Sequence, residues 1–156
     1  MSIAALRRTA LFHELPVTAI SRLASLGRTR RFRAGRILMK QGEAAKVMFV
    51  IVKGAVRVER SHRDLLGPVL LSVLGRGEVV GERGLLDGEP RSAAVTAEVN
   101  VTAVELTAAQ LAQAMAESAD VATALLHIMS RRIRDTDELL TQALAGRWAA
   151  PAAGPG

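Results

Sequence analysis

Cysteine is absent from this 156-residue chain, which excludes disulfides and thiol chemistry and fits a reducing, cytoplasmic setting. Tyrosine is absent too, and with one Trp and three Phe there is almost nothing on which single-stranded bases could stack. No apolar run reaches the roughly 18 residues that a membrane helix needs. The stretch Met1 to Arg8 lacks the apolar core of a secretory signal. His13, His62 and His127 are scattered without ligand spacing, so no metal site is expected. Gly75, Gly77 and Gly81 miss the G-x-G-x-x-G pattern and no Walker lysine follows them. The sequence therefore offers no catalytic set, and an enzyme is not expected.

What is present suits one globular domain. The hydrophobic share is 49% and the charged share 23%, enough apolar material for a core. The net charge of +6 arises from 21 basic against 15 acidic residues. Such a balance can favour nucleic acid, but the lack of aromatic platforms argues against nucleic-acid contact by this chain alone. The domain is expected over residues 1–146, with an Ala-, Pro- and Gly-rich disordered tail over 147–156.

Hydrophobic periodicity changes twice along the chain. Pro16 sits where a first helical turn tolerates proline, and Val17, Ile20, Leu23, Ala24 and Leu26 follow at helical spacing until Gly27. Short runs then dominate: Arg28–Arg33, Arg36–Lys40, Val47–Val52, Ala55–Arg60, Val69–Leu74, Ala93–Glu98 and Val101–Leu106, several of them separated by glycine. In Ala55-Val56-Arg57-Val58-Glu59 the apolar and charged residues alternate, the pattern of a half-buried strand. Many short strands with Gly-rich turns predict a β-barrel or jelly roll. After Leu106 the helical period returns. Thr107 can cap a helix carrying Leu111 and Met115, and a longer helix is expected from about 120 to 144. The fold class is α+β: an N-terminal helix, a jelly-roll-like barrel, then C-terminal helices.

The stretch from Gly77 to Val95 carries the chemistry. Residues 82–86 can form one helical turn between strands, and Gly81 lets backbone approach a ligand. A helix start presents unpaired N–H groups to an anion. Arg91 can grip the same anion through a forked, charge-assisted pair of hydrogen bonds that lysine would not reproduce. Ser92 adds a hydroxyl, Ala93 and Ala94 leave room, and Glu82 can accept from a sugar hydroxyl. Taken singly, these residues have plainer readings. Arg91 could be a salt-bridged surface residue, and Glu82 could pair with Arg91 in a degenerate pocket.

Together, however, Gly81-Glu82, Leu85-Leu86, Pro90-Arg91 and Ser92-Ala93 resemble the phosphate-binding cassette of the cyclic nucleotide-binding domain family. The glycine-punctuated Phe32–Gly35, Gln41–Glu43 and Phe49–Val58 segments resemble that family's barrel. The resemblance spans about residues 10–145. It implies that Glu82 binds the ribose 2′-hydroxyl, that Arg91 binds the cyclic phosphate, and that Gly81, Arg83, Gly84, Leu85, Ser92 and Ala93 surround them. Arg83 and Gly84 depart from the apolar or small residues usual after the glutamate.

The last helix is similar to that of the catabolite activator family, with Arg131-Arg132 at its arginine pair. Thr136 falls where that family's threonine meets adenine, while Asp137 replaces a serine that the neighbouring subunit supplies. Both also read as ordinary helix-surface residues. Trp148 is either a lid on the base or a tail anchor. The resemblance implies a cytoplasmic sensor of cAMP, with cGMP as the alternative ligand and no other cofactor. Its helix would move on binding and could join two copies as a homodimer. The chain could also be the sensor half of a transcription factor without its helix-turn-helix, or a degenerate domain kept for protein contacts.

Overall fold

The computed structural model describes residue 23 and residues 25–147. The expected N-terminal helix lies mostly outside them. Leu23, Ser25 and Leu26 are helical, and the Gly27 N–H closes that helix on the Leu23 carbonyl at 2.9 Å. Eight strands follow: β1 (Arg28–Phe32), β2 (Ile37–Met39), β3 (Val47–Lys53), β4 (Val56–Arg60), β5 (Val69–Leu74), β6 (Val79–Val80), β7 (Ala94–Ala97) and β8 (Val101–Thr107). A short helix α1 (Glu82–Asp87) interrupts them between β6 and β7, and α2 (Ala108–Glu117) and α3 (Ala119–Arg147) complete the described chain.

The strands form two antiparallel four-stranded sheets, ordered β1-β8-β3-β6 and β2-β7-β4-β5. This corrects the expected barrel. Among the described residues no ladder joins the two sheets, and the edge strands β2 and β6 have three and two residues. The architecture is an open jelly-roll-like sandwich with helices on one face. β6 escaped the sequence reading because two valines between Gly77 and Gly81 carry no readable period.

Strand β3 shows why the apolar run Met48-Phe49-Val50-Ile51 is unbroken. Met48 and Val50 face the helices, packing with Val79, Val104, Leu106, Leu111, Val121, Leu125 and Ile128. Phe49 and Ile51 face the other sheet, packing with Met39, Val56, Val80, Val95 and Val101. A strand covered on both faces has no polar side to show. Each of these four side chains contributes about 1.5–3 kcal/mol by its burial. The same alternation sends Val79 to one core and Val80 to the other.

Thr107 caps α2 as the sequence indicates. Its hydroxyl accepts from the Gln110 N–H at 3.2 Å, and the Gln110 side chain accepts from the Thr107 N–H at 2.7 Å, a reciprocal capping box. Helix α3 is longer at both ends than the expected 120–144. Its apolar residues divide into two groups. Val121, Leu125 and Ile128 are buried against the sandwich, whereas beyond Arg132 every residue to Gly146 is exposed. Ile133, Leu139, Leu140 and Leu144 therefore lie on a half-helix that projects past the body. Among the described residues no helix is long and apolar enough to cross a membrane.

Candidate functional site

The structure holds a cleft of about 880 Å³, within the usual range for small-ligand sites. Its lining comes chiefly from β5, α1, the loop before β7, and α3 where it leaves the body, with single residues from β2, β4, β6 and β7. Helix α1 begins without a side-chain cap. Its N-cap is Gly81 at φ 87°, a left-handed conformation that glycine adopts freely. A Cβ there would strike the Met39 side chain and lie 2.8 Å from Arg91 Nη1. Gly84 is required by packing, since a Cβ would collide with that of Ala45. The Gly84 departure from the family pattern thus reflects how closely α1 approaches the loop before β3.

Arg91 is fixed by backbone on both sides. Its N–H donates to the Glu43 carbonyl at 2.9 Å, and its carbonyl accepts from the Gly42 N–H at 2.8 Å. Gly42 has φ 84°, which explains the glycine in Gln41-Gly42-Glu43. Gln41 in turn exchanges hydrogen bonds with the backbone of Ser61, tying the loop to the end of β4. The Arg91 side chain is almost wholly buried, with the residue 7% exposed. Nη1 donates to the Gly81 carbonyl at 2.8 Å, Nη2 donates to the Val47 carbonyl, and Nε is buried with no hydrogen-bond partner. Among the described residues no carboxylate pairs with it. Burial pulls its pKa below the ordinary arginine value, while the charges of Glu43 and Glu82 act the other way. The result is a buried cation at the cleft wall whose side-chain partners among the described residues are neutral carbonyls, an arrangement that favours an anion.

Glu82 is 1% exposed and does not pair with Arg91. Its carboxylate accepts from Arg132 of α3, whose other nitrogen donates to the Val79 carbonyl. Glu78 adds ion pairs of 3.3 Å to Arg131 and 3.6 Å to Arg132. The pairing of Glu82 across 50 residues was not readable from local pattern, nor was the part played by Glu78.

The remaining sequence-picked residues divide by place. Arg83, Gly84, Ser92, Ala93, Arg132, Thr136 and Asp137 all line the cleft with Gly81, Glu82 and Arg91. Leu85 does not. Its side chain packs against the core under α2 and α3, because a single helical turn points it away from Arg83 and the cleft. The Thr136 hydroxyl donates to its own helix at the Arg132 carbonyl, 2.9 Å away, which leaves its lone pairs free to accept. Apolar walls that sequence reasoning did not select come from Met39, Leu71, Leu74, Met129 and Ile133. Trp148 lies outside the described residues.

The sandwich thus sets a buried cation and a buried carboxylate in one cleft, beneath a projecting helix. The family model for the cyclic nucleotide-binding domain matches residues 29–118, and the chain belongs to that family. It is 27% identical over 135 residues to the CRP-like cAMP-activated global transcriptional regulator of Mycobacterium tuberculosis, covering 86% of this chain and 60% of the regulator. It is 30% identical over 95 residues to human cGMP-dependent protein kinase 2, covering 61% of this chain but 12% of the kinase. Among solved structures, the catabolite activator protein of Thermus thermophilus superposes with a TM-score of 0.78 at 27% identity, covering 86% of this chain and 63% of that one. The N-terminal domain of a Streptomyces coelicolor A3(2) transcriptional regulator gives 0.68 at 30% identity, covering 86% and 95%.

Proposed function

We propose that the cleft binds a cyclic nucleotide, cAMP in preference to cGMP, and that the chain acts as an intracellular sensor module. The observation that carries this reading is Arg91, a buried guanidinium with an orphaned Nε and no carboxylate partner. A cyclic phosphate supplies the missing charge, with Ser92 and the Gly81–Gly84 backbone beside it. Glu82 accepts the ribose 2′-hydroxyl. The base lies against Leu71, Leu74 and Ile133, where Thr136 and Asp137 present acceptors to an exocyclic amine. At its 6-position adenine offers a donor amine where guanine offers a carbonyl acceptor, so acceptors facing that position favour cAMP. Charged hydrogen bonds contribute about 1.5–3 kcal/mol each, so two or three support micromolar affinity after binding costs.

The output in this reading is a shift of α3, because the ligand contacts that helix differently in its two positions. The exposed Ile133, Leu140 and Leu144 recur at intervals of seven and four residues, the spacing of a coiled-coil seam, and support a homodimer through α3. The 60% coverage of the M. tuberculosis regulator favours a second, compatible reading, in which this chain corresponds to the sensor part of such a regulator.

Calorimetric titration of refolded, ligand-stripped protein with cAMP and with cGMP tests the proposal. Micromolar or tighter binding, stronger for cAMP, is expected. A folded protein giving no heat with either would favour a degenerate domain acting through protein contacts.

A further inference from the structure

The positive charge of the chain is gathered at one edge of the fold. Residues 28–36 hold five arginines, Arg28, Arg30, Arg31, Arg33 and Arg36, and no acidic residue. They lie on β1 and the turn that follows it, and β1 is the last strand of its sheet, with no neighbour on its outer side. Glu105 of the adjoining β8 takes two of them, Arg28 at 2.9 Å and Arg30 at 2.7 Å. Glu98, which follows Ala97 beneath the turn, is engaged by Arg57 at 3.0 Å. Arg31, Arg33 and Arg36 are exposed, and among the described residues none has an ion pair. No residue of this edge lines the nucleotide cleft.

The platform under these three cations is stiff. The Ala34 N–H donates to Asn100 Oδ1 at 3.0 Å, the Gly35 N–H to the Ala97 carbonyl at 2.8 Å, and the Arg36 N–H to the Arg33 carbonyl at 3.0 Å. The Ala97 N–H returns a bond to the Arg36 carbonyl at 2.8 Å. Between Arg33 and Arg36 stand only Ala34 and Gly35, and a Cβ on Gly35 would meet nothing within 4 Å. A flat or convex polyanion can therefore approach the turn without meeting a bulky side chain.

We propose that this arginine edge binds the phosphate backbone of duplex nucleic acid without reading its sequence. The scarcity of aromatic residues removes stacking on single-stranded bases, but phosphates are held by charge and need no ring. Guanidinium groups match phosphate oxygens with a forked pair of bonds, and all five cations of the edge are arginine. Arg31 and Arg33 stand about 7 Å apart along an extended chain, close to twice the roughly 3.4 Å rise per phosphate of one duplex strand. An acidic protein fits less well. Protein interfaces draw their affinity from buried apolar and aromatic anchors, and Ile37 apart, the exposed large apolar residues lie elsewhere, chiefly on β5, in the loop before it and on the outer half of α3. This inference is independent of the cyclic-nucleotide reading.

Fluorescence anisotropy with labelled 20-base-pair duplexes of two unrelated sequences tests it on the full chain. Three phosphate contacts predict a log–log salt slope of about −2.7, so that binding weakens about 40-fold between 50 and 200 mM salt, equally for both duplexes. The triple variant Arg31→Gln, Arg33→Gln, Arg36→Gln should lose at least about tenfold in affinity at 50 mM salt and most of the slope. A charge-matched control, Lys53→Gln, Arg63→Gln, Arg76→Gln, should keep both. Should the triple variant fail to fold, Arg33→Gln alone must lower the slope by about 0.9. Absence of duplex binding at 50 mM salt overturns the proposal, and so does an equal loss in the control, which would reduce the effect to net charge. Tighter binding of a polyglutamate peptide than of duplex, abolished in the triple variant, would make the edge a protein-docking surface and overturn it as well.

Discussion

Replacing Arg91 by methionine removes the buried cation of the cleft while keeping most of its volume. Without nucleotide the effect on stability is small, because two contributions oppose each other. The Gly81 and Val47 carbonyls lose donors, at about 1 kcal/mol each. Against this, a guanidinium with no carboxylate partner among the described residues no longer has to be buried, where loss of water pulls its pKa down. The net change is about 0–2 kcal/mol, or roughly 0–8 °C in Tm for a chain of this size. Binding responds far more. Loss of a forked pair of charged hydrogen bonds, about 3–6 kcal/mol together, lowers affinity by roughly 100- to 10,000-fold. Thermal melts with and without cAMP separate the two effects. At about 100 times its Kd, nucleotide stabilises wild type by about 2.7 kcal/mol, a rise of roughly 5–11 °C. At the same concentration Arg91→Met gains about 0.4 kcal/mol or less, under roughly 2 °C. Arg91→Lys keeps the charge but loses the fork, and a tenfold weakening leaves it a rise of roughly 3–6 °C. Equal shifts in all three proteins would refute the placement of the phosphate on Arg91.

Three further perturbations probe the same account. Glu82→Gln should bring cAMP and its 2′-deoxy analogue closer in affinity than they are in wild type; if wild type already ranks the two alike in competition binding, the ribose role of Glu82 is wrong. Gly81→Ala forces a left-handed residue and sets a Cβ against Met39 and Arg91, so Tm should fall by roughly 2–12 °C for about 1–3 kcal/mol of strain; an unchanged melt contradicts the described turn. Leu140→Glu, on the exposed half of α3, should leave the circular dichroism spectrum unchanged and convert a dimer to monomer in sedimentation. A wild-type protein that is monomeric at every concentration removes the proposed helix seam.

The sandwich was legible wherever one residue decides its own neighbourhood. The alternation in β4, the apolar run of β3 and the hydroxyl of Thr107 each announce their structure locally, and the structure agrees with them. The sequence also marked Glu82 and Arg91 as the chemical pair, and the fold brings both to one cleft. What it could not convey is partnership over distance. Arg91 rests on the carbonyl of Val47, 44 residues away, and Glu82 is held by Arg132, 50 residues away. No periodicity encodes such contacts. Which half of α3 is buried was hidden for a related reason. Leu125 and Leu139 look alike in sequence, but only the first has a sheet beneath it. Leu85 misled similarly, since which side of a one-turn helix faces a cleft depends on what packs behind it. The barrel expectation failed at the edges, where the short strands β2 and β6 leave the two sheets unjoined.

The most direct test of the central claim is a crystal structure of the protein grown with cAMP. The account predicts the cyclic phosphate within hydrogen-bonding distance of Arg91 and the ribose 2′-hydroxyl on Glu82. Nucleotide bound with its phosphate away from Arg91, and its ribose away from Glu82, would contradict it.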